Sequence, residues 1–528
     1  MSRVKVPEFV TDVFKDPQQR GILIAGTLSI LAVGLVPRVF SPGLVDAQQA
    51  LKTQPQAENL LLLLSFGSAA VTILGGLVAD FLRRRSVLVV SLALMIGGGV
   101  ASIFITDGVV YYAATFIAVA ASGVALAYAI GSVAIAYDGV PRATALGIVY
   151  AAFGAGSAAA MPLLTIFGPF GPRWQAYLVS AIAAAIALWA ARRWMPMLPG
   201  VLPAPKRFLS SMGLWVISIF ALISGVVGLV GDRPRVLPVL LIGGGIAGML
   251  VAWAYARRSR ELFTKLQLDP RPLAAAVAVG VTVGFAQMVP LMLLPVVFQF
   301  PLGYGALFAL LAIAPFAIAL FIAGPVSGIM LRKFGPREIM ASGTLLLGVG
   351  NIALAIILSS AELSGNYLWF ILPLIFIGAG FVISTTVRTA IVFASTSRGL
   401  PGSAAALNQA SVDMGSRIGI VVSTAVLTGV ALDTVRRLTE DLPDAQQLVD
   451  TAQEALVALG TPGLIEMIGE ASITQASVTR MGYIDGVQAA LLLSGIVAVG
   501  GAILAWVLIG KRDPIGTVFA LKDERPSI

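Results

Sequence analysis

Long apolar runs broken by short polar segments set the pattern of this chain. A helix needs about 20 consecutive apolar residues to cross a bilayer. On that criterion the sequence predicts helices near 21–41, 59–79, 86–106, 109–136, 143–168, 174–194, 209–231, 235–256, 272–298, 305–331, 337–359, 366–394, 403–432 and 482–510. The expected fold class is therefore an all-α polytopic membrane protein with 14 transmembrane helices. A Pro-rich stretch, 195–206, reads as a linker. It divides the pattern into a segment at 1–20, a six-helix half at 21–194, a linker with two inserted helices at 195–271, a second six-helix half at 272–510 and a tail at 511–528. Within the second half, 433–481 reads as a long outer loop rich in acids, a solvated cap by default and otherwise a docking surface for an extracytoplasmic partner.

The shortest connection carries the most specific pattern. From Gly76 to Arg85 the chain reads Gly-Leu-Val-Ala-Asp-Phe-Leu-Arg-Arg-Arg. Such a turn leaves no room for a domain, so Asp80 and the arginines serve the helix ends they join, the acid at a helix N-terminus. A related pattern returns once, from Pro325 to Arg337. The return marks an internal repeat.

These residues carry a resemblance to the major facilitator superfamily, whose loop signature is Gly-x-x-x-Asp-(Arg/Lys)-x-Gly-(Arg/Lys)-(Arg/Lys). Gly76, Asp80, Arg84 and Arg85 match it, while Phe81 and Arg83 depart from it. In the second copy Gly328, Lys333, Gly335 and Arg337 match, and Arg332 stands where the Asp would be. Fourteen helices with an inserted central pair are similar to the drug:proton antiporter branch. Further elements in register are Leu262 and Phe263, Gln299, Gly303 and Tyr304, and Leu407, Asn408, Gly415 and Gly419.

Other positions depart from that branch. Val33 and Arg38 occupy the places of its helix 1 Asp and Asn, and Val119 and Ser122 those of its helix 4 Arg and Gln. Helix 5 keeps Gly147, Gly154, Gly156 and Pro162 but has Met161 before the Pro and no Gly pair after it. The scaffold that the resemblance implies is kept, while its usual polar coupling residues are not.

Composition and charge narrow the alternatives. Mean hydropathy is +0.93 over 528 residues, too apolar for a soluble core. The net charge of +9 comes from small basic groups scattered among the loops, which argues against a nucleic-acid partner. Eight of the Lys and Arg residues (Arg38, Lys52, Arg173, Arg233, Arg235, Arg436, Arg437, Arg480) fall on the outer side and most of the rest inside. That bias places both termini in the cytoplasm of a multi-pass protein of the cell membrane. With no Cys and no His, disulfides, thiolate metal sites and Ser-His-Asp catalysis are excluded, and a carboxylate is the expected carrier if protons move. No metal, cofactor or enzymatic chemistry is expected.

Charges inside spans are costly and mark functional candidates. Asp413 lies about ten residues into its predicted helix, about 15 Å deep, and Arg417 follows one turn later on the same face. Arg388 on the preceding helix is a second partner. The two readings are a protonatable Asp413 that alternates between arginines, and a permanently ionised pair. Arg38, Asp138, Arg142, Gln287, Asn408 and Gln409 are cavity or gate candidates, each with a bland alternative: snorkelling for Arg38, helix-end contacts for Asp138 and Arg142, and interhelical hydrogen bonds for the amides.

The resemblance implies a monomeric secondary transporter working by alternating access. Few polar anchors among Gly, Ala, Leu, Ile, Val and Phe fit a hydrophobic or amphiphilic substrate. Three functions stay open: multidrug export with or without proton coupling, transport of lipids or lipid-like molecules, and a sensor or assembly protein on a transporter scaffold.

Overall fold

The computed structural model describes residues 16–51, 83–105, 108–137, 139–166, 172–196, 236–258, 270–360, 365–395, 401–440 and 473–509, with single positions elsewhere, several of them at 214–225 and 446–452. Among the described residues the regular structure is all helical. The helices are α1 (Pro17–Leu51), α2 (Arg84–Phe104), α3 (Gly108–Ala136), α4 (Gly139–Ile166), α5 (Pro172–Trp194), α6 (Val236–Arg258), α7 (Pro270–Gln299), a short α8 (Ala306–Leu311), α9 (Ala314–Lys333), α10 (Pro336–Leu358), α11 (Leu368–Ala394), α12 (Pro401–Thr439) and α13 (Ile473–Leu508). Eight of them contain stretches long and apolar enough to cross a bilayer, and α4, α6 and α9 contain shorter apolar stretches. The chain is a multi-pass membrane protein. The predicted spans at 59–79 and 209–231 lie largely outside the described residues.

The helices sort into two groups by packing. In the first, α1 packs on α3, α4 and α5, and α2 on α3 and α5; in the second, α7 packs on α12 and α13, α10 on α11 and α13, and α9 on α11. The groups meet chiefly where α4 lies along α9, with smaller contacts of α3 on α12 and α4 on α11. Helix α6 packs on Ser218 and Leu222 through Gly245. Its Val236, Leu240 and Leu250 are exposed, as a lipid-facing stripe requires.

Glycines make the α4–α9 seam possible. A Cβ on Gly147 would strike the carbonyl of Gly324, one on Gly324 would come 2.5 Å from the oxygen of Gly147, and one on Gly328 would lie 3.0 Å from Thr144 Cα. Only hydrogen at these positions lets the two backbones approach this closely.

Basic residues gather at one end of the bundle, where side chains satisfy helix-terminal carbonyls that have no partner within their own helix. Gln19 Nε2 donates to Ala136 O (2.9 Å), Arg85 Nη2 to Arg192 O (2.5 Å) and Arg142 Nε to Tyr137 O (2.8 Å). Aromatic rings pack together where α7, α8 and α11 meet. Phe298 lies 5.2 Å from Phe370 and stacks on Tyr304 at 5.9 Å, and Tyr304 meets Phe308 at 5.0 Å. Gly303, at φ 69°, makes the turn that folds Tyr304 back.

The single helix expected over 305–331 is broken at Ala312–Ile313. Pro315 has no N–H to give the preceding turn and its ring crowds that turn's carbonyl, so α9 starts afresh with the proline in its first turn. Phe316 N turns to Ile313 O, and the freed Ala312 O accepts from Tyr367 Oη at 3.0 Å. Helices α12 and α13 also run further than the hydropathy pattern placed them, to Thr439 and back to Ile473. There Arg437 pairs with Asp433 at 2.8 Å and Thr434 donates to Asp485 at 3.0 Å.

Candidate functional site

One stretch of α11 breaks the apolar pattern with Ser384, Thr385, Thr386, Arg388 and Thr389, all buried. It faces a polar stretch of α12 that carries Asn408, Gln409, Ser411, Asp413, Ser416 and Arg417. Glycines of α7 bring the three helices together. A Cβ on Gly280 would collide with Ser411 Oγ and Arg388 Nη1, and one on Gly284 with the carbonyl of Val412. In return Gly415 of α12 lies against the Val281 backbone, and Ser416 Oγ donates to Gly284 O at 3.2 Å.

Arg388 is the largest fully buried side chain described, at 0% exposure. Its Nη1 donates to Asn408 O at 2.9 Å and to Ser411 Oγ at 2.7 Å. Ser411 Oγ itself donates to Asn408 O at 2.8 Å, so one carbonyl and one hydroxyl fix the plane of the guanidinium. Its Nε and Nη2 have no hydrogen-bond partner.

Next to it a hydroxyl network joins the two helix groups. Thr389 Oγ1 gives its one proton to Thr385 O at 2.7 Å. It must therefore accept from Tyr150 Oη of α4 at 2.8 Å and from Asn408 Nδ2 at 3.0 Å, and Asn408 Nδ2 also reaches Tyr150 Oη at 3.2 Å. Arg388 lies within electrostatic range of both Tyr150 and Asp413.

Asp413 is partly buried and accepts from Gln409 Nε2 at 2.8 Å. Arg417 and Arg388 are the cations that act on it. Among the described residues, one carboxylate thus faces two guanidinium groups.

The structure therefore brings Arg388, Asn408, Gln409, Asp413 and Arg417 into one cluster. Other candidates sit elsewhere. Arg142 holds a helix end, and Arg337 at the start of α10 lies 4.1 Å over the ring of Trp506. Gly335 caps that helix, Gly328 lies in the α4–α9 seam, and Arg84 is buried at the start of α2. Gln287 is partly buried on α7. Gly76, Asp80, Asp138 and the side chain of Arg38 lie outside the described residues. Tyr150, Thr389, Ser411 and Gly280 belong to the site but were not singled out from the sequence; the polar run at 384–389 was a visible signal for Thr389, and nothing local points to Tyr150.

Two helix groups that meet along glycine seams, with a charged cluster at their junction and apolar side chains outward, define a membrane carrier fold. The chain belongs to the Major Facilitator Superfamily, whose sequence profile it matches over residues 22–420. Among characterised proteins it is 22% identical over 283 residues to the "Tetracenomycin C resistance and export protein" of Streptomyces glaucescens, and the match takes in 51% of either chain, about half the length of that relative. Among solved structures it resembles the proton:xylose symporter XylE (TM-score 0.58, 15% identity, covering 95% of this chain and 98% of that one). It also resembles the human organic anion transporter MFSD10 (TM-score 0.57, 13% identity, covering 93% and 100%). At these identities the structural likeness establishes the fold alone.

Proposed function

We propose that this superfamily transporter exports hydrophobic or amphiphilic small molecules by alternating access, with the α11–α12 cluster as its central site. The observation that carries this reading is the Tyr150–Thr389–Asn408 network, a small set of polar bonds that ties the two halves together beside buried charges. Such a link is strong enough to hold one conformation and weak enough to break when the halves rock apart. The export function named for the Streptomyces relative supports the direction.

In this reading Asp413 serves as the ion-pair partner of the two arginines. Burial works against the charged form of Asp413, while the Gln409 donor and two nearby arginines favour it. A transport test decides between a standing ion pair and a proton carrier at Asp413. The test is transport of a lipophilic dye in proteoliposomes, with and without an imposed pH gradient, for wild type and Asp413→Asn. Dye movement at the same rate under both conditions supports the reading. Movement that needs the gradient and is abolished in a folded Asp413→Asn protein would show that Asp413 carries the proton. No movement of any dye would remove the transporter assignment.

A further inference from the structure

We propose that the Nε–Nη2 edge of Arg388 is a binding site for the carboxylate of an amphiphilic organic anion, the charged end of the transported molecule. The proposal deepens the transporter reading above and rests on it for the word transported.

The argument starts from donors. A guanidinium has five N–H groups and no acceptor, and a buried one needs them all satisfied or suffers the full desolvation cost. In Arg388 the satisfied nitrogen is Nη1, held by Asn408 O and Ser411 Oγ. The two that lack partners, Nε and Nη2, are neighbours on the same side of the planar group. Their N–H bonds run parallel, and that edge matches the two oxygens of a carboxylate in a bidentate contact. The side chain is thus held at one corner with its recognition edge left open. A purely structural arginine at 0% exposure would spend that edge on backbone carbonyls or on an acid.

Asp413 does not fill this role. It acts on Arg388 only through space, because neither free nitrogen has a hydrogen-bond partner, and its Oδ1 is engaged by Gln409. A guanidinium edge offers donors and no acceptor, so an anion is the ligand it takes and a cation is repelled by it. Thr385 stands one turn before Arg388, and Thr386 between them; both hydroxyls are buried without a partner and are available as further donors.

Access follows from the seam. Tyr150 belongs to the opposite half and bonds to Thr389 and Asn408, the residues flanking Arg388. With the halves together the edge is sealed and unpaired. The proposal requires that the parting of the halves, which breaks the Tyr150 bonds, also opens this edge.

The experiment measures binding of 4-(1-pyrenyl)butyrate and of its methyl ester, by quenching of tryptophan fluorescence, to the full protein in phosphatidylcholine nanodiscs. For wild type the acid should bind about tenfold or more tightly than the ester, the scale of a charge-assisted bidentate contact. Arg388→Lys keeps the charge but has no fork, and should lose most of that preference; Arg388→Gln should lose all of it. Equal binding of acid and ester by wild type, or a preference that survives in both variants, overturns the proposal. The wild-type comparison can overturn the proposal by itself even if the variants fail to fold. Dye transport by the same preparation separates the two readings. A protein that moves dye without preferring the acid keeps the transporter assignment and loses this site, and one that prefers the acid through Arg388 but moves nothing does the reverse.

Discussion

Tyr150 and Thr389 face each other with 2.8 Å between their oxygens, one on the first helix group and one on the second, 239 residues apart in the chain. Because Thr389 spends its proton on its own helix, the phenol must be the donor. The bond therefore depends on the Tyr150 hydroxyl and is lost in phenylalanine.

Tyr150→Phe should loosen the junction without unfolding either half. A net loss of about 1 kcal/mol shifts a two-state balance about fivefold toward the form in which the halves are apart. The chain has no cysteine, so a single Ala404→Cys, at a buried position of α12, gives a unique probe. Maleimide labelling of that thiol should rise several-fold in the Tyr150→Phe background. An unchanged labelling rate would mean that the bond does not hold the halves together.

The glycine seam predicts a contrast between two small substitutions. Gly147→Val forces a side chain into the Gly324 carbonyl and should cost about 1–3 kcal/mol, visible as a lower Tm in detergent. Gly243→Ala on α6 meets nothing within 4 Å and should change stability by no more than about 0.5 kcal/mol. Equal effects at the two sites would contradict the packing described.

Tyr367→Phe removes the donor that satisfies Ala312 O at the helix break before α9. Leaving that carbonyl unpaired should cost about 1–3 kcal/mol. A fall in Tm comparable to that of Gly147→Val is expected, while Phe308→Leu, which trims the same aromatic cluster without touching a hydrogen bond, should cost less.

Tyr137, just beyond the end of α3, has its phenol pushed up to about 12 by burial and by the negative charge of Asp16. Its neutral form is thus favoured in the folded protein, and this contribution to stability is complete below the ordinary tyrosine value of about 10 and is lost as pH rises from there to about 12. Titration of tyrosinate absorbance near alkaline pH, wild type against Tyr137→Phe, should show one phenol fewer ionising late. A missing phenol in the ordinary range instead would refute the burial.

Much of the architecture was legible because membrane helices announce themselves by length and apolarity. The residues of the cluster on α11 and α12 were legible for the same reason, as Arg388, Asp413 and Arg417 are charges where charges are costly. Their arrangement was not. Proximity in sequence paired Asp413 with Arg417 and offered Arg388 as an alternative, yet the fixed orientation of Arg388 comes from Asn408 O and Ser411 Oγ, a carbonyl and a hydroxyl that carry no sequence signal of their own. Tyr150 reads as one more apolar residue of α4, and only the packing of two halves shows what its hydroxyl meets. The break before α9 was also hidden, since Pro315 within a long apolar run can as easily kink a helix as end it.

The buried charge of Arg388 has an electrical consequence. A membrane voltage does work on any charge that shifts along its field, about 2.3 kcal/mol per elementary charge per 100 mV. In the proposed cycle, when the halves rock with the site empty, the Arg388 guanidinium moves with them and the step becomes voltage-sensitive. With an anion on Arg388 the moving unit is neutral, and voltage no longer acts on it. Voltage jumps on protein-containing bilayers should therefore evoke brief displacement currents that saturating pyrenebutyrate silences, and currents of equal size with and without it would show that the cluster does not move through the field.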